Sequence, residues 1–91
     1  MPISPTPDVA DFAPDDPLLT AYDRQHVTTY VRLLDAEASG ADWREVARLV
    51  LGKDPDAHHD RALAAFETHL ARAKWMASHG YRELLRNEPD Q

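Results

Sequence analysis

The segment 42–52, DWREVARLVLG, constrains the fold more than any other part of this chain. Asp42 and Glu45 stand at capping-box spacing. The Asp side chain can accept from the backbone N–H of Glu45, and Glu45 can reach back to the N–H of Asp42. Trp43, Val46, Ala47 and Val50 then recur at helical spacing, and Gly52 ends the helix. A small Ala47 in mid-helix lets a crossing helix approach closely, although alanine is also simply the best helix former. A polar connection over 53–60, KDPDAHHD, leads to a longer helical pattern ending at Gly80. Short helix, turn, longer helix is the order of a helix-turn-helix, here with a turn longer than the usual three or four residues. Asp54-Pro55 could open the long helix, and Asp56 or Asp60 could cap a later start. An extended turn with the helix beginning near His58 and running to about Ser78 is the favoured reading. Leu63, Phe66, Leu70, Ala73 and Ala77 make its inner stripe.

Upstream, Thr20 and Asp23 form a near capping box. Val27, Tyr30, Val31 and Leu34 fall at i, i+3, i+4 and i+7, which predicts a helix over 21–38 with Gly40 as a left-handed cap. All three glycines thus stand at expected helix ends, and no alternating strand pattern occurs. The fold class is all-α: a small helical bundle, a helix-turn-helix variant with an extended turn. The first nineteen residues differ. They hold five of the seven prolines and four aspartates with no Lys or Arg. Proline forbids a helical ladder, and few apolar groups are there to offset ordering entropy. The expected organisation is a disordered acidic arm over 1–19, in which Val9 and Phe12 could dock locally and Leu18 and Leu19 begin the core, and a helical domain over 20–91. Beyond Gly80, Tyr81, Leu84 and Leu85 suggest one last amphipathic turn.

Several chemistries are excluded at this level. There is no cysteine, hence no disulfide and no thiolate metal site. The N-terminus has neither the basic start nor the apolar run of a signal peptide, and no stretch is apolar enough to span a membrane. A cytoplasmic location is expected. None of the five histidines stands four residues from another, the usual spacing of a helical zinc site, so no metal is expected. Ser4, Ser39 and Ser78 lie in the arm or near helix ends, where serine is favoured for turns and caps. No glycine-rich phosphate loop is present. The reading is of a protein that is not an enzyme and carries no cofactor.

The net charge of −6 argues against non-specific phosphate binding, which is driven by Lys and Arg displacing counterions. If the chain bound DNA, Arg61, His69 and Arg72 of the long helix would face it. Between the two arginines, ALAAFETHL has no Lys or Arg, and its outward face is expected to show Ala64, Ala65, Glu67 and Thr68. Such a face cannot make the bidentate arginine contacts that read guanine. Trp75 falls out of step with the inner stripe. It fits packing at the core's edge against Tyr81 or Leu85. It also fits an interface anchor, extended by Tyr81, Arg82 and Leu85, because Trp, Tyr and Arg dominate binding hot spots.

Two motifs, GADWREVARLVLG over 40–52 and HGYRELLR over 79–86, separated by one long helix, resemble the bacterial family called domain of unknown function 2285. The resemblance spans 20–86, some three-quarters of the chain. It implies an extended-turn helix-turn-helix of transcriptional regulators carried on mobile elements. In activators of that kind the domain is joined to a separate N-terminal domain and has a basic DNA-facing surface. Lacking both, this chain is similar to stand-alone antiactivators that govern rhizobial integrative and conjugative elements under quorum sensing. The resemblance therefore implies a free monomer that binds a transcriptional activator's partner domain and blocks transfer genes. It further implies no or weak nucleic-acid binding. The interface would be Trp75, Tyr81, Arg82 and Leu85. The alternative is a DNA-binding helix-turn-helix regulator.

Overall fold

The capping box at Thr20 closes in full and starts the first helix. The Thr20 hydroxyl accepts from the Asp23 N–H at 3.1 Å, and Asp23 accepts from the Thr20 N–H at 2.9 Å. The computed structural model describes residues 9–80, and among them every regular element is helical. α1 spans Ala21–Gln25 and α2 spans Val27–Ala38. α3 spans Trp43–Val46 and continues as a π-helical turn, Ala47–Leu51. α4 spans His59–Trp75 and continues as a second π-helical turn, Met76–Gly80.

The single helix expected over 21–38 is two helices broken at His26. There the backbone leaves helical geometry, at φ −115° and ψ 22°. The His26 Nδ1–H donates to the Tyr22 carbonyl at 2.8 Å, and its ring stacks on Tyr22 with centroids 3.9 Å apart. A side chain bonded back to its own helix competes with the ladder, as short polar side chains do elsewhere. The break also turns the core face. Leu33 is buried, whereas Val31 of the expected stripe is 51% exposed.

Gly40 and Gly52 take the left-handed conformation, at φ 74° and 68°, and end α2 and the α3 segment. Asp42 caps α3 by accepting from the Arg44 N–H at 3.0 Å. This bond goes to Arg44, not to Glu45 as the capping box would have it. The turn between α3 and α4 is as extended as the sequence suggests. Asp54 closes it by accepting from the N–H groups of Asp56 and Ala57, and α4 starts at His59.

α4 is the central element. α2 packs along it, and α3 with its π-helical turn packs on both. The apolar core joins Tyr30, Leu33, Val46 and Leu51 to Ala65, Ala73 and Met76 of the long helix. The inner stripe of α4 is thus Ala62, Ala65, His69, Arg72, Ala73 and Met76. Of the stripe expected from apolar spacing, Ala73 alone is fully buried. Leu63, Phe66 and Leu70 are half-buried, and Ala77 is exposed.

Residues 9–19 form no helix, in keeping with their prolines, and lie against α4; the part of the expected arm before residue 9 lies outside the described residues. The Ala13 N–H donates to Thr68 Oγ1 at 3.0 Å, and Arg72 donates to the carbonyls of Asp16 and Leu18 at 2.6 and 3.0 Å. Val9 and Leu19 pack on the core. Backbone carbonyls, which composition does not register, make this attachment.

Candidate nucleic-acid interface

Two of the three residues expected to face DNA are buried. Arg72 is 5% exposed and His69 fully buried. Arg72 forms a fork on Asp23: Nε donates to Oδ1 at 3.0 Å and Nη2 to Oδ2 at 2.6 Å. The Tyr30 hydroxyl donates to the same Oδ1 at 2.7 Å. Burial pushes the Asp23 carboxyl up, but hydrogen bonds from Arg72, the Thr20 backbone and Tyr30 outweigh it and hold the group below the usual carboxylate range. Four of the five guanidinium N–H donors are thereby engaged inside the protein, on Asp23, Asp16 and Leu18. Arg72 pins α1, α4 and the N-terminal segment together, and its burial keeps it from the surface that a phosphate would reach.

His69 is fixed just as firmly. Its Nδ1 lies 2.7 Å from the Ala65 carbonyl, which can only accept, so Nδ1 carries the proton. Its Nε2, 2.5 Å from the Tyr22 hydroxyl, is then the acceptor, and the Tyr22 oxygen accepts in turn from the Ala10 N–H. Burial pushes the His69 pKa below its ordinary 6.5, against the raising effect of the Ala65 bond. The unfolded chain therefore binds this proton before the folded one does. Stability from a neutral His69 is full above pH 6.5 and declines as pH falls from there toward the depressed folded value. The Tm should therefore fall as pH drops below 6.5. His69→Gln, which keeps a donor and an acceptor, should melt with a flatter pH profile. Parallel profiles in the two proteins would contradict this assignment.

Trp75 is half-buried. The Arg72 guanidinium carbon lies 4.0 Å from its ring centroid, and the His79 ring stacks near it at 6.4 Å. Its out-of-step position is explained by this cation–π contact with the buried arginine. The rest of the proposed protein interface, Tyr81, Arg82 and Leu85, lies outside the described residues.

The surface that α4 leaves open is a different stripe. Asp60, Ala64, Glu67 and Ala71 recur at i, i+4, i+7 and i+11, continued by Lys74 and Ser78, and all but the half-buried Ala64 are exposed. Ala65 and Thr68, expected on this face, turn inward. Ala65 is in the core, and the Thr68 hydroxyl donates to the Ala64 carbonyl at 2.8 Å. Exposed or half-exposed cations gather beside the turn: Arg44 over the Trp43 ring, Arg48 bonded to Asp56 at 2.9 Å, and Lys53 and Arg61. Trp43 ties this cluster to α4 through edge contact with His59 and through Phe66. Arg61 is thus the one residue of the expected DNA-facing set that lies on the surface. Lys53 was not singled out by sequence reasoning, although its place directly after the capping glycine could have marked it. Among the described residues no helix is long and apolar enough to cross a membrane, and no group of three His, Asp or Glu side chains could hold a metal ion.

A family model described as "T6SS, Transcription factor, DNA binding domain", that of the RovC DNA-binding domain, matches residues 8–86, nearly the whole chain. No curated protein matches. The match overturns the resemblance to the domain of unknown function 2285. With it fall the antiactivator reading, the activator partner and the expected lack of nucleic-acid binding. The first of the two motifs behind that resemblance is a capped helix stopped by glycine, a string that suits many helical domains, and residues 81–86 of the second lie outside the described residues. Net charge is a property of the whole chain and does not say where the charges stand: Arg44, Arg48, Lys53 and Arg61 gather on one side of the molecule beside the turn.

Proposed function

The chain belongs to the RovC DNA-binding domain family, and from that premise we propose that it binds duplex DNA as the DNA-binding domain of a transcription factor. The exposed stripe of α4 enters the major groove. The observation that carries this reading is the stripe itself: Asp60, Ala64, Glu67 and Ala71 on one open face of the second helix of a helix-turn-helix. An α-helix fits the major groove, and alanines at two of four positions let its backbone come close. Glu67 can accept from a cytosine N4 amino group, and the alanine methyls can meet thymine methyls. This readout differs from the arginine–guanine contact and accounts for a reading face without arginine. Affinity then comes from phosphates, with Arg44, Arg48, Lys53 and Arg61 flanking the stripe.

A labelled mixed-sequence duplex titrated with the protein and followed by fluorescence anisotropy tests the reading. Saturable binding at low salt is expected, and its loss as salt rises. Absence of binding at low salt would refute it.

A further inference from the structure

The carboxylate of Asp11 sits between two cations from opposite ends of the turn. Its Oδ1 is 3.3 Å from Lys53 Nζ, and its Oδ2 accepts from Arg61 Nε at 3.1 Å. The two pairings cross 42 and 50 residues of sequence. The three side chains border a pocket of about 240 Å³ beside Gly52 and His58.

Both cations are positioned by the helices. Lys53 follows the left-handed Gly52, and its own N–H is tied to the Ala47 carbonyl at 2.9 Å. Arg61 stands in the first turn of α4. Asp54, which also borders the pocket, accepts from the N–H groups of Asp56 and Ala57 through Oδ1. The seat is therefore two cations carried on helix-anchored backbone, with one carboxylate between them. Arg61, and after it Lys53, hold the Asp11 carboxyl below the usual carboxylate range, so it is ionised at neutral pH.

A carboxylate and a phosphodiester present the same chemistry to a Lys–Arg pair: two oxygens sharing negative charge. We propose that Lys53 and Arg61 form a seat for a DNA backbone phosphate, that Asp11 fills it in the unbound protein, and that DNA must displace Asp11 to bind. The inference rests on the DNA-binding reading above. Two features suit Asp11 to competition. Its ion pairs are partly exposed, with the Arg61 side chain 61% accessible, so they are weak and screened by salt. The backbone on either side stays anchored, by Ala10 on the Tyr22 hydroxyl and Ala13 on Thr68. A displaced Asp11 thus remains close by, at high effective concentration.

Anisotropy titrations of the same duplex with four proteins at low salt test this: wild type, Asp11→Asn, Asp15→Asn, and Asp11→Asn combined with Lys53→Gln and Arg61→Gln. Asp15 is exposed in the same segment, so its variant makes the same charge change away from the seat. Asp11→Asn should bind about two- to fivefold tighter than wild type, the range of an exposed ion pair. Asp15→Asn, which removes an acid beside Ala71 but leaves the seat as it is, should gain less than Asp11→Asn, and the triple variant should lose the gain. If wild type binds and Asp11→Asn gains no more than Asp15→Asn, the seat is wrong and DNA binding stands. If none of the four binds, both readings fall. Circular dichroism confirms folding. Should Asp11→Asn misfold, Lys53→Gln with Arg61→Gln in the wild-type background gives the second measure. A salt slope shallower by about one, for the one phosphate lost, supports the seat, and an unchanged slope overturns it.

Discussion

Arg72→Met should cost the domain about 3–5 kcal/mol and lower its Tm by roughly 12 °C or more. The substitution keeps the aliphatic stem and removes the charge. It leaves the Asp23 carboxylate, whose side chain is 0% exposed, without its cation. A buried carboxylate in that state must take up a proton or expose itself, and either is costly. The Asp16 and Leu18 carbonyls lose their donor at the same time, so the N-terminal segment should come away from α4. A small domain is stable by only about 5–15 kcal/mol in total, so the variant lies near the edge of folding. Asp23→Asn combined with Arg72→Met should recover part of the loss, because the unpaired charge is then gone. Chemical denaturation of the four corners of this cycle gives the coupling directly. A loss under about 1 kcal/mol for Arg72→Met would show that the clamp is not structural.

Glu67→Ala should abolish the sequence preference of DNA binding at one base pair and leave general affinity unchanged or slightly tighter. Glu67 stands mid-stripe on the open face of α4, between Ala64 and Ala71. A carboxylate accepting from cytosine N4 discriminates by about 1–3 kcal/mol, or roughly 5- to 150-fold in selection. The same carboxylate is repelled by the phosphates, so removing it should not weaken non-specific binding. Selection from a randomised duplex pool with both proteins separates the two effects. The wild type should enrich a cytosine at one position and the variant should not. An identical enriched sequence in both would remove Glu67 from the readout.

The sequence carried the local signals of the fold. The Thr20 box, the Asp42 cap, and the glycines at 40 and 52 mark helix ends through bonds made within a few residues, and all lie where those bonds put them. The broken first helix was not legible. His26 sits in an apolar repeat, and only the stacked Tyr22–His26 pair shows why the chain turns there. The inner face of α4 was misread for a related reason. Apolar periodicity finds oily stripes, whereas this one carries His69 and Arg72, satisfied by Tyr22 and Asp23 from 47 and 49 residues away. A lone Arg and a lone His therefore looked like DNA contacts when they are the polar part of the core. Of the candidate interface, Arg61 alone stands among the residues expected to face DNA; Glu67 lies on the expected outward face, where it counts against arginine readout, and pairing Asp11 with Lys53 and Arg61 requires the folded chain.

The salt dependence of duplex binding tests the central claim most directly. Two or three phosphates are neutralised by Arg44, Arg48 and the Lys53–Arg61 pair if α4 enters the groove between them. The logarithm of the binding constant should then fall with the logarithm of salt at a slope of about −2 to −3. No measurable binding at low salt, or binding indifferent to salt, would contradict a DNA-binding role for this surface.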